Sequence, residues 1–72
     1  MNIAWEALRA VCRQRRHQLG LTQAQLGEAM GRSQDYVSVL ENNVRGVPNL
    51  ATLLLWVEAL GGTIRIDFQD EP

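Results

Sequence analysis

The chain has 72 residues, enough for a single domain built around one small core. A hydrophobic share of 46% argues against disorder, and no apolar run approaches the ~20 residues that span a membrane. The single cysteine, Cys12, cannot form an internal disulfide, and the first ten residues lack a signal-peptide pattern. We therefore expect a cytoplasmic protein, because a reducing compartment suits an unpaired thiol.

Charge is distributed unevenly along the chain. Arginine supplies all seven basic residues, eight residues are acidic, and the net charge is −1. Three acids lie near the end, at Asp67, Asp70 and Glu71, whereas six of the arginines come earlier, at Arg9, Arg13, Arg15, Arg16, Arg32 and Arg45. The chain before its acidic last residues is therefore basic. The overall balance argues mildly against nucleic acid as a partner and predicts modest non-specific affinity for it.

A first helix is predicted over about residues 3–19. Asn2 suits its N-cap, Gly20 suits a left-handed C-terminal cap, and Leu21 provides the hydrophobic contact of that cap. The predicted inward face consists of Trp5, Leu8, Cys12 and Leu19, with Arg16 at the same seam.

Two short amphipathic helices follow, predicted over about 23–30 and 34–42. Thr22 and Ser33 suit their N-caps, Gly31 suits a sharp left-handed turn between them, and Gly27 suits a close approach of the two helices. The inward pairs are Leu26 with Met30 and Val37 with Leu40. Helix, glycine turn, helix is the skeleton of a DNA-reading helix-turn-helix. Its outward face would then carry Asp35, Ser38, Val39 and Asn42, with Gln34 at the edge.

Pro48 suits the start of a fourth helix, predicted over about 49–60. This helix has two apolar stripes, and a helix that is apolar on two sides is usually covered on two sides. The predicted core stripe is Leu50, Leu53, Leu54, Val57 and Leu60, and the second stripe contains Thr52, Leu55, Trp56 and Ala59. Gly61 and Gly62 end the helix.

Residues 63–69 change to a period of two, which predicts a half-buried β-strand and the only strand of the chain. A lone strand leaves its backbone groups and one apolar face without a partner. The simplest partner is the same strand of a second subunit, antiparallel across a two-fold axis. The predicted dimer interface is Leu55, Trp56, Ile64, Ile66 and Phe68.

From about Arg9 to Asn43 the chain resembles phage repressors and the XRE class of bacterial regulators. The matching segments are LGLTQAQLGEAMG, then Ser33-Gln34, then VSVLENN. The resemblance implies an all-α fold: a four-helix, lambda-repressor-like DNA-binding domain over residues 1–62, followed by the dimerising strand at 63–69. A leucine-rich helix, a break and one strand are also similar to the HipB type of antitoxin, a small dimer that binds its own promoter and a toxin kinase.

The resemblance also implies roles for individual residues. Base contacts fall to Gln34, Asp35 and Ser38, and phosphate contacts to Gln23, Arg32, Ser33, Asn42, Asn43 and Arg45. Tyr36 is left open between a phosphate, a thymine methyl and packing beside the core. Arg16 and Glu41 align with a charge pair that supports the fold, whereas Arg13 and Arg15 are expected to face solvent.

These observations favour a sequence-specific DNA-binding regulator, a repressor that binds a palindromic operator as a homodimer. Whether it is an antitoxin with a toxin partner or a phage or stand-alone regulator is left open by the sequence. The alternative is a protein-interaction module that keeps the helix-turn-helix fold without binding DNA. No cofactor, metal or enzymatic activity is expected, because His17 has no spaced set of further ligands and no catalytic constellation is present.

Overall fold

A computed structural model describes residues 5–42 and 48–70. These contain four helices: α1 (Trp5–Gln18), α2 (Gln23–Met30), α3 (Gln34–Asn42) and α4 (Leu50–Ala59). The bounds predicted for α2 and α3 are confirmed, α1 ends one residue before its prediction, and α4 is one residue shorter at each end. The predicted N-cap Asn2 lies outside the described residues. None of the four helices is both long enough and apolar enough to cross a membrane.

The α2–turn–α3 unit is fixed by local backbone chemistry. Thr22 and Gln25 form a capping box: the Gln25 N–H donates to Thr22 Oγ1 at 3.0 Å, and the Thr22 N–H donates to Gln25 Oε1 at 2.8 Å. Gly31 ends α2 in the left-handed region at φ 68°. A Cβ atom on Gly27 would lie 2.8 Å from the Ser33 carbonyl oxygen. The left-handed turn predicted at Gly31 is confirmed, and the close approach at Gly27 is to the backbone of the turn before α3 rather than to another helix.

One core joins all four helices. Its buried apolar members are Cys12, Leu26, Met30, Val37, Leu40, Trp56 and Leu60. Trp5 of α1 packs against Trp56 of α4 in an edge-to-face arrangement, with ring centroids 5.9 Å apart. The largest set of helix contacts joins α2 to α3, while α1 packs on α3 and α2 packs on α4. The core thus supports α3 from behind.

The predicted orientation of α4 is wrong at two positions. Trp56, assigned to a dimer contact, is 0% exposed within its own chain, and Leu50, assigned to the core, is 60% exposed. The buried side of α4 passes instead through Trp56 and Leu60, which are four residues apart and so lie one above the other. Trp56 therefore has no surface left for a second subunit. Leu19, predicted on the inward face of the first helix, follows the end of α1 and is 42% exposed.

Residues 63–70 follow α4 without regular secondary structure, so the predicted strand is not formed within a single chain. All eight residues are exposed. The exposed fraction rises along the apolar positions, from 39% at Ile64 to 70% at Ile66 and 85% at Phe68. The Arg65 Nε lies 3.2 Å from both carboxylate oxygens of Asp67. We call residues 63–70 the tail.

Candidate nucleic-acid interface

The polar face of α3 is turned to solvent. Val37 and Leu40 are buried beneath it, and the helix period therefore places Gln34 and Asp35 on the exposed side. Ser38 lies half-buried on the same helix, and Val39 is exposed. The structure thus brings the three predicted base-reading residues, Gln34, Asp35 and Ser38, onto one helix that is held rigidly from behind.

The N-terminus of α3 is organised by two predicted phosphate-contact residues. Ser33 Oγ accepts a hydrogen bond from the Tyr36 N–H at 3.2 Å, which makes Ser33 the N-cap of α3, as predicted. The Arg32 guanidinium lies 5.6 Å from the centroid of the Tyr36 ring, within the range of a cation–π contact. Arg32 Nη1 also donates to the Gly31 carbonyl oxygen at 3.2 Å. Arg32 is exposed, so its charge stays available to an anion.

Tyr36 is tied to the body of the domain. Its ring is half-buried and packs against the core, and its hydroxyl oxygen lies 3.1 Å from Thr52 Oγ1 of α4. Among the three roles left open for this residue, these contacts favour packing. The Tyr36–Thr52 hydrogen bond also connects the start of α3 to α4, which fixes the direction in which α3 points.

A buried ion pair holds the other end of α3. Arg16 of α1 donates from Nε to Glu41 Oε2 at 2.6 Å and from Nη2 to Glu41 Oε1 at 3.0 Å. Its Nη1 donates to the Leu21 carbonyl oxygen at 2.8 Å. Both side chains are buried, so this two-point contact is shielded from water. The charge pair predicted to support the fold is confirmed.

Gln23 takes part in the same network, which the sequence did not predict. Its Nε2 donates to Glu41 Oε1 at 3.1 Å. An amide nitrogen carries two N–H groups, so one N–H serves Glu41 and a second remains for another acceptor. Glu41 therefore joins α1, the first turn of α2 and α3 through a single carboxylate. It also fixes Gln23 at the N-terminus of α2, where free backbone N–H groups favour an anion.

The pKa of Glu41 reflects this environment. Burial acts to raise the pKa, but hydrogen bonds from Arg16 and Gln23, together with the charges of Arg16 and Arg13, outweigh it. The net effect holds the pKa of this carboxyl below its usual range. Glu41 is therefore ionised at neutral pH, as the paired geometry requires.

The remaining predicted phosphate contacts lie at and beyond the end of α3. Asn42 is exposed, and its Nδ2 donates to the Ser38 carbonyl oxygen at 2.9 Å, one turn earlier. Asn43 and Arg45 lie outside the described residues. Arg15 is exposed, as expected, and it also donates from Nε to the Leu60 carbonyl oxygen at 3.1 Å. It therefore stabilises the C-terminus of α4.

A capped helix pair joined by a glycine turn, with a supported and exposed second helix, defines a helix-turn-helix domain. The sequence match agrees, because the family described as helix-turn-helix covers residues 13–66. The chain belongs to this family of DNA-binding regulators, in its XRE class. No curated protein matches the sequence.

A solved structure described as "HipB(S29A)-O2 20mer complex" has a similar fold. The match has a TM-score of 0.80 and 24% sequence identity, and it covers 97% of this chain and 96% of that chain. The likeness therefore extends over the four helices and into the tail.

Proposed function

We propose that this protein is a sequence-specific transcriptional repressor that binds a palindromic operator as a dimer. The observation that carries the proposal is the contrast between the two sides of α3. One side is buried and fixed at both ends, by Tyr36–Thr52 and by Arg16–Glu41, while the other side presents polar side chains to solvent. A rigid helix with exposed hydrogen-bonding groups fits the major groove of B-DNA.

The exposed groups suit different parts of the DNA. Gln34 has an amide that can make a two-point contact with adenine, Asp35 can accept from cytosine N4, and Ser38 can contact several bases. Gln23, with its second amide N–H, and Arg32 suit phosphates on either side of the groove. The further phosphate contacts proposed are Ser33, Asn42, Asn43 and Arg45.

The exposed tail supports the proposed dimer. Ile64, Ile66 and Phe68 expose a row of apolar side chains, and a second tail is the simplest surface that would cover them. Leu55 of α4 remains in the proposed contact, and Trp56 does not, because it is buried in its own core. Two α3 helices related by a two-fold axis would read half-sites about 34 Å apart, one turn of DNA.

The similarity to HipB across nearly the whole chain supports an antitoxin as the particular kind of repressor. In this proposal the dimer occupies the promoter of its own operon and excludes polymerase, and a toxin is its protein partner. Selection of bound fragments from the genome that encodes this chain would test the idea. Recovery of its own promoter supports autorepression, and recovery of unrelated sites alone contradicts it.

The test of DNA reading compares two exposed polar residues. Gln34→Ala should weaken binding to the selected operator by about 1–3 kcal/mol while random DNA is bound as before. Glu28→Ala is the control, since Glu28 is exposed on α2 and does not line the space between α1 and α4. Mobility shifts at two salt concentrations give both affinities. Equal losses in both variants, or an unchanged Gln34→Ala, would contradict the assignment of α3 as the reading helix.

The alternative is a helix-turn-helix module that binds protein and has lost DNA binding. The net charge of −1 and the exposed carboxylate of Asp35 on α3 favour it. The same mobility shifts separate the two functions, because a module of this kind would bind neither selected nor random DNA at low salt.

A further inference from the structure

The tail has two chemically distinct faces. In an extended chain alternate residues point to opposite sides, so Ile64, Ile66 and Phe68 share one face while Arg65 and Asp67 share the other. All five side chains are exposed, so each is available to a second chain. Two such tails meet only if the proposed dimer forms, so their alignment rests on the proposed function.

Symmetry limits the possible alignments of two antiparallel tails. In an antiparallel pair, residues of the two tails that lie directly opposite each other point to the same face. Apolar residues of one tail therefore lie opposite apolar residues of the other only if the two-fold axis passes through a residue and not between two residues. An axis at Arg65 sets arginine against arginine, and an axis at Asp67 sets aspartate against aspartate. Like charges placed directly opposite are destabilising.

Axes through the apolar residues differ in the pairs that they create. An axis at Ile64 or at Phe68 would set Ile66 against Gly62 or Asp70, which leaves Ile66 without an apolar partner. An axis at Ile66 sets Ile66 against itself and Ile64 against Phe68. On the other face it sets Arg65 against Asp67 twice, so this alignment satisfies both faces together.

The body of the domain offers a complementary surface beside the tail. An apolar groove of about 400 Å³ runs between α1 and the end of α4. Its apolar lining comprises Leu8, Val11, Cys12, Val57, Leu60 and Ile64. Val11 is 60% exposed on the outer wall of the groove, so the groove is open to solvent in the single chain.

Ile64 links the groove to the alignment, because it is both a lining residue and a tail residue. With the axis at Ile66, Phe68 of the second copy lies directly opposite Ile64, with Cβ atoms about 4.5–5.5 Å apart. Its ring would therefore project toward the groove. We infer that the tails of two copies pair antiparallel about Ile66, and that Phe68 of each copy fills the α1–α4 groove of the other.

Cysteine cross-linking of the full chain tests the alignment. Under mild oxidation Ile66→Cys should form a disulfide-linked dimer, because paired strand residues lie within the roughly 4.4–6.8 Å Cα separation that disulfides need. Ile64→Cys and Phe68→Cys should each link poorly alone, since a four-residue offset separates like positions by about 13 Å. Mixed together, with one chain carrying a size tag, they should form the heterodimer. The wild-type chain controls for the buried Cys12.

The outcomes separate the alignment from the proposed function. Preferential linking of Arg65→Cys or Asp67→Cys would overturn the alignment while the dimer stands. A wild-type chain that sediments as a monomer at all concentrations would overturn both the dimer and the alignment. Binding of DNA by that monomer, measured by mobility shift, would still support a DNA-binding function.

Substitutions at two exposed valines test whether Phe68 of the second copy fills the groove. Val11→Lys introduces a charge into the groove wall and should raise the dimer dissociation constant about tenfold or more, because Phe68 would then face an ammonium group. Val39→Lys is the matched control, since Val39 is 57% exposed on α3 and lies outside the groove. Melting temperatures check that both variants fold. Equal dissociation constants for the two variants would contradict the filling of the groove by Phe68.

Discussion

Removal of the Arg16 side chain should destabilise this domain more than removal of any neighbouring arginine. Arg16→Ala eliminates two hydrogen bonds to Glu41 and one to the Leu21 carbonyl oxygen, and it leaves a buried carboxylate with Gln23 as its nearest donor. Breaking a buried ion pair by removing one partner costs about 3–5 kcal/mol. Total stabilities of about 5–15 kcal/mol are usual for domains, so the loss is a large share.

The assay is thermal unfolding of three arginine variants followed by circular dichroism. In a domain of this size each kcal/mol lowers the melting temperature by about 4–8 °C, so Arg16→Ala should melt about 12 °C or more below wild type. Arg15→Ala, which loses one hydrogen bond to Leu60, should cost about 1 kcal/mol. Arg13→Ala removes an exposed side chain and should stay within about 0.5 kcal/mol of wild type.

A double replacement distinguishes the ion pair from side-chain size. Arg16→Met combined with Glu41→Leu removes both charges and keeps much of the volume, so it should recover most of the lost stability. Equal melting temperatures for Arg16→Ala and Arg13→Ala would refute the reasoning. So would a double variant less stable than Arg16→Ala, because the cost could not then come from an unpaired carboxylate.

Three further outcomes are expected from the described contacts. Gly27→Ala should lower the melting temperature by several degrees despite alanine's higher helix propensity, because its Cβ would lie 2.8 Å from the Ser33 carbonyl oxygen; an unchanged melting temperature would mean that the turn can move. The Cys12 thiol should react with iodoacetamide far more slowly in folded than in urea-unfolded protein, since burial and the charge of Glu41 raise its pKa; equal rates would show that α1 opens readily. The melting-temperature gap between wild type and Glu41→Gln should be constant above about pH 5 and narrow below about pH 4. The reason is that Glu41 has a lower pKa in the folded than in the unfolded chain, so its ionised form stabilises the fold at higher pH and this stabilisation is lost when the carboxylate is protonated. A gap that narrows near pH 6 would contradict the lowered pKa of Glu41.

The sequence predicted the helix-turn-helix well because its signals there are local. Thr22 followed by Gln25 defines a capping box, Gly31 needs a left-handed backbone, and paired apolar residues give each short helix a clear inward side. Such features depend on residues three or four positions apart, which a sequence displays directly. The Arg16–Glu41 pair, 25 residues apart, could be predicted only because the resemblance to phage repressors implied it.

The orientation of α4 and the role of Arg15 could not be predicted in the same way. Residues 53–57 of α4 are all apolar, so the pattern gives no clear inward side, and contacts with α2 and Trp5 decide that Trp56 is buried. Arg15 donates to the Leu60 carbonyl oxygen, and Gln23 donates to the Glu41 carboxylate that Arg16 also binds. Both are tertiary contacts between residues far apart in the chain, so the spacing of residues does not predict them. In the tail, the alternation of apolar and polar residues indicates a β-strand, but the strand that would pair with it belongs to a second chain.

The pairing of Trp5 with Trp56 gives the protein a built-in optical reporter. These are the two tryptophans of the chain, and both lie where α1 meets α4, away from the exposed side of α3. Indole emission should therefore shift to longer wavelengths when the core opens and stay nearly constant when a ligand docks on α3. Fluorescence can then follow unfolding of each variant in the presence of DNA, without labels and without interference from complex formation.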